Sequence, residues 1–373
     1  MAGAAGWYSG LVPRLPKAPR RRVTRRGAAI VASGAGAVFL AYRAVPVVRQ
    51  LATVRPTFDP GPPPHGSTTV TTPDGVKLHV ETDGDPLAPL TVLFVHGFTA
   101  CLDEFVLQRA ALQDRARLVF YDQRGHGRSE LGDIARCTID QTGEDLGTVI
   151  DAMAPAGPVV VVGHSMGGMS VMALARRRPE LFGETIVGAF LLATAAGDLV
   201  TTGALGHAVA RLRKVHLLDP YLRSLQRISP VLERLREPGS PSARRFYEHY
   251  LFGTDDADPA MVSLIMELLE RTPVTVSSAF WPTFLDHDEV TSLAALREVP
   301  VEILCGSADR LTPARHSRQM AEEIGPNATL TVVPGAGHSV NATRSEAVDE
   351  ALLRLLDRAE AYHQERHARV ANA

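Results

Sequence analysis

Apolar and polar residues change rhythm along this chain, and the changes predict its elements. Residues 67–72 (STTVTT) and 76–82 (VKLHVET) favour β structure on either side of Pro73-Asp74-Gly75, which predicts a β-hairpin. Leu90–Val95 (LTVLFV) and the four valines at 159–162 are unbroken apolar runs, as expected of strands covered on both faces. Further strands are predicted at 117–121 (RLVFY), 186–193 (IVGAFLLA), 301–305 (VEILC) and 329–333 (TLTVV). Helical spacing lies between them: near 103–114, over about 139–153, after Met166, near 314–323, and last over about 345–360. Strands alternating with helices predict an α/β fold, a mostly parallel sheet with helices on both faces.

That rhythm breaks between about 198 and 290. ALGHAVARLRKV, PYLRSLQRISPVLERL and AMVSLIMELLERT carry helical signals, and no strand signal stands among them. The expected organisation is an α/β core at 67–197 and 291–362, interrupted by a helical cap at 198–290 and followed by a tail at 363–373. Residues 56–66 (PTFDPGPPPHG) form a proline-rich linker that suits neither a helix nor a central strand. Within the cap, 211–245 holds nine Lys/Arg against three Asp/Glu. Apolar residues such as Leu217, Leu218, Ile228 and Val231 are interleaved with them at amphipathic spacing. Two readings stand: an apolar stripe packed on the core beneath solvated arginines, or a basic cap that meets an anionic or amphiphilic surface such as a lipid headgroup and admits acyl chains beneath it.

Charge separates the first 55 residues from the rest. They hold ten of the chain's 39 Lys/Arg and none of its 41 Asp/Glu, so a basic head precedes an acidic body. Within that head, residues 27–42 are uncharged. As a helix they would span roughly 24 Å, short of a hydrocarbon core of about 30 Å. Three readings compete: a membrane anchor held by the neighbouring arginines, an export signal in which Thr24-Arg25-Arg26 resembles a twin-arginine pattern, and an apolar helix packed on the body. Membrane association through 27–42, or export, is the expected localisation, with the cytoplasm as the alternative. Cys101, Cys137 and Cys305 are too far apart for a metal knuckle and odd in number, so buried thiols are expected.

Gly163-His164-Ser165-Met166-Gly167 follows the valine strand and precedes the helix MSVMALARR. A strand-to-helix turn this sharp presents its central side chain clear of the backbone, and the helix start directs free N–H groups toward it. A serine hydroxyl needs a base, and the base needs an orienting acid. Asp309 follows the strand VEILC, and His338 follows TLTVV, each in a loop at the carboxyl end of its strand. Ser165 is therefore the candidate nucleophile, His338 the base and Asp309 the acid, with Asp286 and Asp288 as alternatives for the acid. Candidate oxyanion donors are the N–H groups of Met166 and of Phe98, which lies in Val95-His96-Gly97-Phe98-Thr99. His96, His164 and the loop YDQRGHGRS at 121–129 read as scaffold.

Together HGF, YDQRGHGRS, GHSMGG, GSADRLTP and GAGH, in this order and spacing, resemble the α/β-hydrolase superfamily over residues 67–360. The groups it most resembles are bacterial esterases, lysophospholipase-like enzymes and cofactor-free haloperoxidase-like hydrolases. The resemblance implies a serine hydrolase acting on a carboxylic ester, including lipid-like ones, through an acyl-enzyme. It implies no metal or organic cofactor and no nucleic-acid partner. Ser165 stands where epoxide hydrolases and haloalkane dehalogenases carry aspartate, which disfavours those activities. A thioesterase, carbon–carbon hydrolase or perhydrolase with the same triad is the alternative within enzymes. A ligand-binding protein on a hydrolase scaffold is the alternative outside them.

Overall fold

A computed structural model of the chain describes residues 64–371 apart from 156, 200–210, 235–246 and 254–257. The basic head, with the 27–42 run and its proposed anchor or signal, lies outside the described residues. Among the described residues no helix is long and apolar enough to cross a membrane.

The strands are β1 (Gly66–Thr71), β2 (Lys77–Gly84), β3 (Thr91–Val95), β4 (Arg117–Tyr121), β5 (Val159–His164), β6 (Ile186–Leu192), β7 (Val301–Gly306) and β8 (Ala328–Val333). They form one sheet in the order β1-β2-β4-β3-β5-β6-β7-β8. The β1–β2 and β2–β4 pairings are antiparallel and the remaining five are parallel. The longer helices are α1 (Val106–Leu112), α2 (Ile139–Met153), α3 (Met166–Arg177), α4 (Leu218–Arg234), α5 (Pro259–Arg271), α6 (Val274–Leu285), α7 (Ala314–Ile324) and α8 (Ser345–Ala371).

Period-two alternation divides the apolar strands between two cores. Leu93, Val95, Val159, Val161, Leu191 and Ile303 face the layer that contains α2 and α3. Val92, Phe94, Val160, Val162, Phe190 and Leu304 face the layer that contains Phe105, Leu112 and the α8 residues Leu352, Leu355 and Leu356. Each such side chain taken out of water contributes about 1.5–3 kcal/mol, which is why the unbroken apolar runs occupy the middle of the sheet. Close layering needs small residues at crossing points: a Cβ on Gly143 of α2 would come within 2.8 Å of Ala173 Cβ on α3.

Two helices differ from expectation. The closing helix runs on to Ala371 instead of stopping near 360, so the expected tail is largely helical. Its last buried apolar position is Ala359; beyond it, helix-forming residues without Gly or Pro, and a Glu365–Arg369 pair one turn apart, carry the helix on. Helix α6 (VTVSSAFWPTFL) lies within the expected helical insertion but outside its three segments of helical signal, because its β-branched start and internal Pro282 oppose helix formation. Tertiary contact overrides that preference: Val276, Ala279 and Phe280 are buried in the same core as α2 and α3.

Between β6 and β7 every described long element is a helix. A single π-turn, Glu248–Phe252, touches the core where Leu251 O accepts the Ser339 N–H at 2.8 Å. The apolar stripe is only partly packed: Leu218 is buried, while Leu217, Ile228 and Val231 are about half exposed at 54%, 49% and 55%.

Candidate active site

Strand β5 delivers Ser165 into a turn with φ 51° and ψ −117°, in the positive-φ region that residues with a Cβ avoid. The turn survives because its neighbours leave no alternative. Ser165 N–H donates to Leu192 O at 2.9 Å, and its carbonyl accepts from Thr194 Oγ1 at 2.7 Å. A Cβ on Gly163 would lie 2.6 Å from the Gly168 backbone, and one on Gly167 would overlap the Val95 carbonyl. The glycines on either side of Ser165 therefore let strand and helix approach closely enough to expose the hydroxyl.

Ser165 Oγ lies 2.9 Å from His338 Nε2, and His338 Nδ1 lies 2.8 Å from Asp309 Oδ2. Loops after β5, β7 and β8 thus bring the three residues into one hydrogen-bonded chain. Asp309 Oδ1 also accepts the N–H groups of Leu311 (2.8 Å) and Thr312 (2.9 Å), and Oδ2 accepts the Thr312 hydroxyl (2.8 Å). Burial alone would raise the Asp309 carboxyl, but His338 and these donors outweigh it and hold the group below its ordinary range. An ionised, fully bonded carboxylate at this point orients the imidazole. Asp286 instead pairs with Arg213 at the surface, and Asp288 receives the Val290 N–H, so neither occupies the place beside His338.

The loop after β3 carries the second set of groups. Thr99 there has φ 62°, a second positive-φ position. Phe98 N–H donates to no other group among the described residues, and Met166 N–H opens α3, where a helix has no internal acceptor for it. His96 fixes this loop: its Nδ1 reaches Gly97 O at 2.8 Å, and its Nε2 accepts the Gln123 N–H at 2.9 Å. Asp122 links the same two segments by accepting the N–H groups of Leu102 (2.9 Å) and Arg128 (2.8 Å). Behind them Arg124 is fully buried and forked onto Asp145 at 2.6 and 2.7 Å, which makes the 121–129 loop a fixed support.

Two groups were not singled out in the sequence. Thr312 bonds Asp309, and its only sequence signal is its place three residues on, in a loop where Ser and Thr commonly close turns. Glu104 is buried and touches Gly97 N–H (2.8 Å) and His164 Nδ1 (3.2 Å). Its signal is faint: an acid between Leu102 and Phe105, both core residues.

Aromatic rings bound the loop after β3 on the side of α6. Phe98 meets Phe284 edge-on at 5.0 Å and lies 6.4 Å from Phe280, both on α6. His126 packs 5.4 Å from Phe280 and 6.2 Å from Phe98. Its complete burial, with His96 nearby, drives its pKa down to about 3, so it is a neutral ring there. The three cysteines are buried thiols, and burial raises all three.

Comparison with known proteins gives a consistent picture. The pattern of the alpha/beta hydrolase family matches residues 92–351. A protein named as a carbamate hydrolase, RutD, from Caulobacter sp. (strain K31) is 29% identical over 286 residues, covering 75% of this chain and 95% of that one. A bifunctional esterase/perhydrolase from Acinetobacter calcoaceticus is 25% identical over 288 residues, covering 76% and 97%. Among solved structures, an esterase from Thermogutta terrifontis shares the fold with a TM-score of 0.62 at 23% identity, over 79% of this chain and 99% of that one.

Proposed function

This chain belongs to the alpha/beta hydrolase family, and we propose that it is an ester hydrolase working through a covalent acyl-enzyme on Ser165. Its relatives named as esterases and a carbamate hydrolase support a hydrolase of ester-like substrates. The observation that most supports the finer reading is the unbroken chain from Ser165 Oγ through His338 to Asp309, at 2.9 and 2.8 Å.

In this mechanism His338 Nε2 takes the Ser165 proton as Oγ attacks the ester carbonyl. The oxyanion so formed accepts from the N–H groups of Phe98 and Met166. Collapse breaks the bond to the alcohol, which leaves with the proton from His338. Water then gives its proton to His338, attacks the acyl carbonyl and restores Ser165, releasing the acid. Asp309 keeps Nδ1 of the ring protonated throughout, leaving Nε2 free to exchange the proton. Phe98 and Phe284, partly exposed and packed edge-on, favour an apolar group on the substrate.

A fluorophosphonate probe tests the reading. Native protein should be labelled and should turn over p-nitrophenyl esters, while Ser165→Ala should do neither. Equal labelling, or undiminished turnover in the variant, would overturn it. Thioester and carbamate substrates in the same panel separate the neighbouring activities.

A further inference from the structure

Glu104 lies in the short turn Leu102–Phe105 ahead of α1, yet it reaches three segments that meet at the site. Its Oε1 accepts the Gly97 N–H at 2.8 Å, one residue before Phe98. Both its carboxylate oxygens face His164 Nδ1, at 3.2 and 3.3 Å. The other ring nitrogen, His164 Nε2, lies 3.2 Å from the backbone carbonyl of His338. Asn341 Nδ2 donates to the Glu104 carbonyl at 3.0 Å, which ties the turn to the stretch just after His338.

Carboxylate and carbonyl oxygens only accept hydrogen bonds. A ring that serves both must carry a proton on each nitrogen, which makes it an imidazolium. Both side chains are buried, with 4% and 6% of their surface exposed, so the pair is shielded from water and from salt. We propose that Glu104 and His164 form a buried carboxylate–imidazolium pair that positions the oxyanion loop and the loop of the general base around Ser165. This rests on the reading of Ser165 and His338 as nucleophile and base.

The groups facing His164 agree with the charge state. Burial acts against the charged ring, but the Glu104 carboxylate and the His338 carbonyl outweigh it, and Asp309 acts in the same direction. The His338 ring is a further titratable neighbour, 5.1 Å away between centroids. Position accounts for the rest. His164 precedes the nucleophile, and a Cβ on Gly97 would lie 2.9 Å from His164 Nδ1, so the ring packs directly under the oxyanion loop. A shift of the ring would move the Phe98 N–H and His338 together. Both residues act through others, so they are positioning residues.

Two measurements on the full chain test this. In ¹⁵N-histidine NMR at pH 8, with His164 assigned from His164→Gln, native protein and Ser165→Ala should both show His164 protonated on both nitrogens. Glu104→Gln should show it neutral. The same variant keeps an acceptor for Gly97, so it should fold and bind ester with KM little changed while kcat falls roughly 10–100-fold. If Glu104→Gln fails to fold, Glu104→Gln/His164→Gln removes both charges and should show the same loss of kcat. A neutral His164 in native protein, or native kcat in whichever variant folds, would overturn the proposal. Turnover retained by Ser165→Ala would instead overturn the catalytic reading, and the NMR result would still stand or fall by itself.

Discussion

The sheet and the helical insertion hold their parts of the site by different means. At the ends of β5, β7 and β8 the residues of the proposed triad are held by buried hydrogen bonds: Asp309 accepts four, and the Ser165 backbone is tied to both Leu192 and Thr194. The insertion meets the site mainly through apolar rings, Phe280 and Phe284 against Phe98. Its helix α4 leaves Ile228 and Val231 half exposed. Hydrogen bonds fix atoms to within tenths of an ångström, as proton transfer requires, whereas ring packing sets shape and tolerates change. Chemistry should therefore depend on the sheet's loops, and choice of substrate on the insertion.

The sharpest way to break this division is at Asp309. Asp309→Asn should keep the fold and lower kcat about 10⁴-fold, because the amide no longer holds His338 in the right tautomer. Steady-state kinetics on a p-nitrophenyl ester, with circular dichroism as the check on folding, reads this directly. Loss below tenfold would detach Asp309 from the base.

A smaller effect is expected on the insertion side. Phe284→Ala should lower kcat/KM for a hexanoyl ester about tenfold while leaving an acetyl ester nearly unchanged, since it removes apolar contact and no hydrogen bond. An equal loss on both esters would mean that the insertion shapes the chemistry too, and the division would fail.

Which parts were legible in the sequence follows the same line. The Ser165 elbow and Asp309 could be placed because each follows a buried strand rich in apolar residues, and His338 because it follows the alternating β-formers TLTVV of the edge strand β8. The Glu104–His164 contact could not, because it joins residues sixty apart through side chains, and nothing local marks an acid as buried. Helix α6 was hidden for the opposite reason: its local preferences argue against a helix, and only burial of Val276 and Phe280 overrides them. The long run of α8 past 360 brings only the partly buried Tyr362 against the core among its described side chains, so apolar periodicity gave little notice of it.

The smallest effect lies away from the site, where the sheet's outer layer carries a titrating group. Burial and the nearby Glu346 raise Asp349 to about 6, against the opposing hydrogen bond from Gln108 at 3.2 Å. Its folded form thus binds a proton more tightly than the unfolded chain. The stabilisation is full below the unfolded value near 3.8 and is lost as pH rises through about 6. Asp349→Asn mimics the protonated group, so its Tm should exceed that of native protein above pH 6 and converge with it below pH 4. No change in the gap across that range would remove Asp349 as a source of pH sensitivity, and kcat should be unaffected throughout.

In the proposed mechanism the substrate's acyl group passes through Ser165. Rapid acid quenching of native protein during turnover of a p-nitrophenyl ester, followed by peptide mass spectrometry, tests it most directly. The acyl mass should appear on the peptide containing Ser165, and on Ser165 itself by fragmentation, with a matching burst of p-nitrophenol. Turnover with the acyl group on another residue, or undiminished turnover by Ser165→Ala, would contradict it.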